Sequence, residues 1–203
     1  MTSHQPIILA LTGGIACGKS ETGRILTEEG FAVLDTDRLA HEMMSSGTPV
    51  FEQVVKQFGM SIVGMDGEID RAELGKIVFA NPDAQEALNR LVHPAVIDAA
   101  EQWKVQQAGD AAVMVPLLFE AGWTNGWSAI VCVSANEQCV FQRLEKRGLS
   151  EAEARKRIAA QMPLAEKNKK SDFIIENNDT LDALRNKTLT VLEAIRSRGN
   201  DHE

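Results

Sequence analysis

The stretch LALTGGIACGKSETG, residues 9–23, restricts the fold more than any other part of the chain. Small and apolar residues run into two glycines, and Gly18 is followed at once by Lys19 and Ser20. The spacing Gly13-x-x-x-x-Gly18-Lys19-Ser20 matches a phosphate-cradling loop in full. Such a loop works only between a buried strand and the start of a helix. Its main-chain N–H groups and the helix N-terminus must converge on one anion. IILALT (7–12) reads as a buried parallel strand. KSETGRILTEEG reads as a helix with Ile25 and Leu26 on its apolar face and Gly30 as its stop. In that register Gly13, Gly14, Ala16, Cys17, Gly18, Lys19, Ser20 and Glu21 line a nucleotide's phosphates. Lys19 is expected to reach the β- and γ-phosphates, and Ser20 to bind Mg²⁺. The competing reading is a glycine-rich turn that matches by chance.

Further strand-like runs are FAVLD (31–35), AAVMVPLLFE, SAIVCVS and DFIIEN (172–177). Helical periods separate them, in TDRLAHEMMSSG (ending near Gly47), PVFEQVVKQFG, RAELGKIVFA and DAQEALNRLV, and again near 136–147 and 150–161. DGEID (66–70) is a turn. Pro94 is expected to break or kink the pattern near His93, with a further helix over 95–107. TLDALRNKTLTVLEAIRSRG closes as an amphipathic helix. The alternation predicts a parallel five-stranded sheet covered on both faces, a three-layer α/β/α sandwich of the P-loop NTPase type. The core is read as 1–36, 110–142 and 171–203. A helical insertion occupies 37–109 and a basic helical hairpin 143–170.

Composition narrows the classes. Hydrophobic content of 44% and charged content of 25% describe an ordinary globular protein. The apolar run AAVMVPLLF (111–119) is too short to span a bilayer, so no membrane partner is expected. The opening MTSHQPII has no basic region followed by an apolar one, so no secretory signal is read. Three cysteines, Cys17, Cys132 and Cys139, lack metal spacing and suit a reducing cytoplasm. A formal charge of −8 argues against general nucleic-acid binding. Residues 143–170 run the other way. Arg143, Lys146, Arg147, Arg155, Lys156, Arg157, Lys167, Lys169 and Lys170 stand there against Glu145, Glu151, Glu153 and Glu166. Either this segment meets an anionic ligand or it is a solvated helix laced with Glu–Arg pairs.

Several side chains can carry chemistry. Asp35 and Asp37 lie at a strand's C-terminal end, where open α/β sheets place ligands. A carboxylate there can take a proton from an attacking hydroxyl or help organise Mg²⁺, while Asp35 or Thr36 can equally cap the next helix. Arg143 and Arg147 are four apart on one helix face and can neutralise transferring charge, or pair with Glu145 or Glu151. His93, before Pro94, is either a helix-end hydrogen-bonder or part of a site. Cys17 sits near a helix N-terminus and Lys19, conditions that lower a thiol pKa. From this follows the expectation that its oxidation blocks ATP, against the reading that it is a small loop-filling residue. No guanine-reading N-K-x-D is present, since Asn168-Lys169-Lys170 is followed by Ser171. That weakens the alternative of a nucleotide-dependent switch.

Taken in order, LTGGIACGKS, VLDTDRLAHEM, LNRLVHPAV, VPLLFEAG and RLEKRGLSEAEARKRIAAQMPLAEKNKKSDFIIENN resemble the dephospho-CoA kinase family from residue 9 to about 178. The resemblance implies ATP-dependent phosphorylation of the ribose 3′-hydroxyl of dephospho-CoA, the last step of coenzyme A synthesis. It makes Lys19 and Ser20 the phosphate and metal residues, Asp37 the general base, and Asp35 a residue nearer the metal. It makes Arg143 the phosphate-contacting arginine of a lid (143–170). It assigns His93 and the insertion to the CoA-like acceptor, and Asn177 and Asn178 to adenine, although a polar turn explains that pair equally. No obligatory protein partner is implied. Another small P-loop kinase, for a nucleoside monophosphate or small metabolite, is the runner-up. Two positions depart from the family pattern. Ala16 stands where the family usually has glycine, at the cost of strain if φ is positive there. Glu21 replaces a hydroxyl residue and sets an acid near phosphate unless its side chain turns away.

Overall fold

The computed structural model describes residues 6–200. Its strands are β1 (Ile8–Gly13), β2 (Ala32–Asp35), β3 (Ala111–Met114), β4 (Ala129–Ser134) and β5 (Phe173–Glu176). Its helices are α1 (Lys19–Glu28), α2 (Thr36–Met43), α3 (Pro49–Phe58), α4 (Arg71–Ala80), α5 (Pro82–Val105), α6 (Glu137–Lys146), α7 (Glu151–Ala159), α8 (Leu164–Lys170) and α9 (Leu181–Asn200). A single 3₁₀ turn covers Met60–Ile62. The sheet order is β2-β3-β1-β4-β5, with every pairing parallel. β1 is therefore hydrogen-bonded on both edges, and the loop that leaves it is rooted at the middle of the sheet.

Two compact units divide the chain: one runs to Asp35 and resumes at Gln106, and the other is Thr36–Val105. In the first, side-chain alternation sorts the two faces of the sheet. Leu9 and Leu11 of β1, Ala112 and Met114 of β3, and Val131 and Val133 of β4 share one core. Ile25 and Leu26 of α1 and Leu184, Leu192 and Ile195 of α9 complete it. The inner strands β3 and β4 are buried on both faces, which is why they read as unbroken apolar runs, while the edge strands β2 and β5 stay partly open. Cys132 and Ser134 point to the opposite face, where α8 packs and Asn168 Nδ2 donates to Ser134 Oγ at 3.2 Å.

The second unit has its own core of Val50, Val54, Ile62, Leu74, Val78, Val92 and Val96. Its helices start where local chemistry satisfies their first N–H groups. Thr48 accepts from Phe51 N with Pro49 next to it, and Asp70 accepts from Ala72 N and Glu73 N. Of the break or kink expected at Pro94, and the separate helix over 95–107, the break does not occur. α5 runs through it, from Pro82 to Val105. Pro94 and Arg90, whose carbonyl loses its i+4 donor, are both exposed, so water can serve that carbonyl. Val92 and Val96 remain in the core on either side. Two boundaries also differ from expectation. α2 stops at Met43, short of Gly47, and the basic segment holds a third helix, α8, besides the end of α6 and α7. Among the described residues no helix is long and apolar enough to cross a membrane.

Candidate active site

The strand–loop–helix order that the motif requires is present, and the loop's two motif glycines are forced by contact as well as by conformation. At Gly13, φ is 149° and an added Cβ would stand 2.3 Å from Val133 O on the neighbouring strand. At Gly18, φ is 105° and a Cβ would stand 2.1 Å from Asn177 Nδ2. Gly18 is the N-cap of α1, its carbonyl accepting from Thr22 N at 3.0 Å. The residues that follow, Lys19 and Ser20, open the helix, with the hydroxyl-bearing Ser20 exposed. The first-turn N–H groups of α1 and its dipole thus meet the loop at one place, the arrangement that holds phosphate. Ala16 has φ 57°, the sole positive value among described non-glycine residues. The strain expected there is real.

Side chains from distant parts of the first unit hold the loop from outside. Arg143 lies in the last turn of α6, the helix expected near 136–147. Its Nη1 donates to Ala16 O at 3.2 Å and more weakly to Cys17 O at 3.5 Å, and its Nη2 donates to Asn177 O at 2.8 Å. Asn177 is buried, and its Nδ2 donates to Cys17 O at 2.8 Å. Its amide thus sits on the loop's own backbone. Asn178 turns the other way: its Oδ1 accepts from Asn136 N at 2.7 Å, at the start of α6. Gln161, between α7 and α8, accepts from Ile15 N at 3.2 Å. Arg147 is the exposed C-cap of α6.

Two expectations about the loop are resolved in opposite directions. Glu21 turns away along α1, where Arg24 Nε and Nη2 donate to its Oε1 at 3.0 and 2.6 Å. That hydrogen bond lowers the Glu21 pKa, so it stays ionised but occupied beside the site. For Cys17 the expected lowering is overturned. The residue is 1% exposed, and burial raises the thiol pKa against the opposing pull of the Ala135 backbone, Lys19 and Arg143. A thiol so placed is a poor nucleophile, and the small loop-filling reading of Cys17 is the one that stands. It borders a cavity of about 200 Å³ whose lining includes Gly14, Ile15, Val140, Ile158 and Leu164.

Asp35 ends β2 opposite Met114, which in turn stands opposite Leu11, two residues before the loop. Across two strand spacings this puts its Cα roughly 10 Å from β1. Asp37 is the second residue of α2 and is exposed; His93 is half-buried in α5. The sequence reading missed an ion pair at the root of the basic segment. Lys167 of α8 is fully buried, 2.9 Å from Glu120 and 2.6 Å from Pro116 O. Glu120 also accepts from Met162 N at 2.9 Å. Both partners belong to the motifs PLLFE and Q-M-P…K, yet charge counting treated Lys167 as one more surface cation.

Comparison with known proteins gives the family. The family model for dephospho-CoA kinase matches residues 7–183. A dephospho-CoA kinase of Carboxydothermus hydrogenoformans is 42% identical over 192 residues, covering 92% of this chain and 93% of its own. Among solved structures, TT1252 from Thermus thermophilus superposes with a TM-score of 0.78 at 33% identity, over 94% of this chain and 97% of its own. The dephospho-CoA kinase from Campylobacter jejuni gives 0.67 at 28% identity, over 95% and 98%. With a loop of this kind at the centre of this sheet, and a match along nearly its whole length, the chain belongs to the dephospho-CoA kinase family.

Proposed function

We propose that this kinase transfers the γ-phosphoryl group of ATP to the ribose 3′-hydroxyl of dephospho-CoA, giving coenzyme A and ADP in the cytoplasm. The observation that carries the reading is the Gly13–Ser20 loop, in register between β1 and α1, in a chain of this family. In the transfer the 3′-oxygen bonds to the γ-phosphorus. The bond from that phosphorus to the β,γ-bridging oxygen breaks, and ADP leaves with the electron pair. The proton of the hydroxyl passes to the Asp37 carboxylate as general base. Asp37 is two residues beyond Asp35, hence within about 7 Å of a strand end by chain length alone. Lys19 meets the β- and γ-phosphates, and main-chain N–H groups of the loop receive the developing charge. The Arg143 guanidinium, held on the carbonyls of Ala16 and Cys17, adds positive field to the cradle.

The oxygen donors Ser20 and Asp35 suit Mg²⁺. Among the described residues no group of three or more His, Cys, Asp or Glu forms a cage. A cation that keeps waters and phosphate oxygens needs none. When held by Ser20 and Asp35, Mg²⁺ would supply charge neutralisation to the transferring phosphates. We assign the Thr36–Val105 unit, with His93, to the acceptor. Residues 143–170 serve as the lid that keeps water from the γ-phosphate.

The test follows ADP formation from Mg-ATP with dephospho-CoA, AMP, CMP or shikimate as acceptor. Turnover with dephospho-CoA alone is the expected result, and ADP release indifferent to acceptor overturns the reading. Asp37→Asn should lower kcat by about 10²–10⁴ while ATP affinity holds. Full turnover in that variant would move the base elsewhere.

A further inference from the structure

Asn177 follows β5 and is 6% exposed, although its side chain is an amide. Three of its polar groups serve the fold around the loop. Its N–H donates to Ser134 O at 2.8 Å, its carbonyl accepts from Arg143 Nη2 at 2.8 Å, and its Nδ2 donates to Cys17 O at 2.8 Å. The last contact fixes more than a carbonyl. Cys17 C=O and Gly18 N–H belong to one planar trans peptide and point in opposite directions. Holding the oxygen on Asn177 turns the Gly18 N–H to the far side of the loop strand. Arg143 holds the preceding carbonyl, of Ala16, in the same way. Because Gly18 has no side chain, Asn177 can lie against it, and the brace takes its leverage from β4, β5 and α6 rather than from the loop.

We infer that Asn177, with Arg143 behind it, is a positioning residue that presets the Cys17–Gly18 peptide for the β-phosphate, and does not read the adenine. The inference deepens the proposed function, since it takes the loop as the phosphate cradle. It concerns nucleotide binding only, so it can be tested with no acceptor present. Its signature is selectivity by phosphate number. Loss of a base contact weakens every adenine nucleotide alike. Loss of loop preorganisation weakens only those ligands that carry a β-phosphate.

Titration calorimetry with ADP and with AMP on the full chain reads this difference. Asn177→Asp keeps the shape of the side chain but cannot donate, and it sets a carboxylate against Cys17 O. The expected result is a loss of ADP affinity of tenfold or more with AMP affinity within twofold. The amide resonance of Gly18, shifted by ADP in the wild type, should no longer respond. Arg143→Lys, which cannot span three carbonyls, should show the same selectivity in weaker form and serves if Asn177→Asp fails to fold. Equal weakening of ADP and AMP makes Asn177 a base or ribose contact and overturns the inference, as does ADP binding unchanged in a folded variant. A wild-type chain that binds neither nucleotide overturns the proposed function together with it.

Discussion

Ala16 keeps a left-handed backbone at φ 57° in the middle of a phosphate loop, a conformation that a Cβ disfavours by about 1–2 kcal/mol. Ala16→Gly removes that strain but gives the unfolded chain more freedom, so the two terms oppose. The strain is the larger, and the substitution should stabilise the protein by about 0.5–1 kcal/mol. A rise in the urea midpoint at unchanged m-value checks this, and a fall would mean that the alanine methyl's packing in the core outweighs its strain. At this scale the sequence was legible where a residue's role follows from its own covalent geometry. The spacing located Gly13, Gly18, Lys19 and Ser20 because backbone chemistry leaves few alternatives. It misjudged the direction of the Cys17 pKa, because a thiol's pKa depends on how deeply the surrounding chain buries it, and local sequence does not state depth.

Helix α8 shows what charge counting overlooks at the scale of an element. Its seven residues include four charges, yet Lys167 is fully buried against Glu120 and Pro116 O. The pair is asymmetric: the Glu120 side chain keeps 23% exposure and Lys167 none. Removing one partner of a buried pair is costly when the other is left charged and dry. Glu120→Gln strands the buried ammonium and should cost about 2–4 kcal/mol. Lys167→Met leaves a carboxylate that can hydrate and still accepts from Met162 N, and it should cost about 1–2 kcal/mol. Chemical denaturation of both variants checks the order, and equal costs would show that solvent does not reach Glu120. The helices PVFEQVVKQFG and RAELGKIVFA were legible in the sequence from their apolar period, although their caps Thr48 and Asp70 were not read. Lys167 was not, because nothing in a run of lysines marks the one whose helix face turns inward. The break expected at Pro94 is absent for a related reason. Whether a missing N–H breaks a helix depends on whether the orphaned carbonyl meets water, and that is a fact of tertiary structure.

For the whole molecule, the buried thiols give stability a pH dependence at the alkaline end. Burial pushes Cys132 from an ordinary value of 9.0 up to about 11, with the neighbouring Cys17 adding to the rise. A raised pKa means that the folded state favours the neutral thiol. The contribution is complete below pH 9, where both states are protonated, and is lost as pH climbs, because the unfolded chain releases its proton first. Stability should fall by about 2–3 kcal/mol between pH 9 and 11 from Cys132 alone. Cys132→Ala should show a shallower slope over that interval, whatever its absolute stability, and an identical slope would assign the loss to other groups.

The strand order carries one more consequence. β2 and β3 lie side by side and run the same way, so the polypeptide leaving Asp35 must travel back along the sheet before Ala111 can begin. Parallel neighbours always require such a return, of about a dozen residues at least. Here residues 36–110 make it, and Thr36–Val105 carry a hydrophobic core of their own. The detour is compulsory and its contents are not. A minimal helix spliced between 35 and 111 would meet the same topological demand. The kinase has therefore room for a whole second body at a point where the sheet was bound to be interrupted.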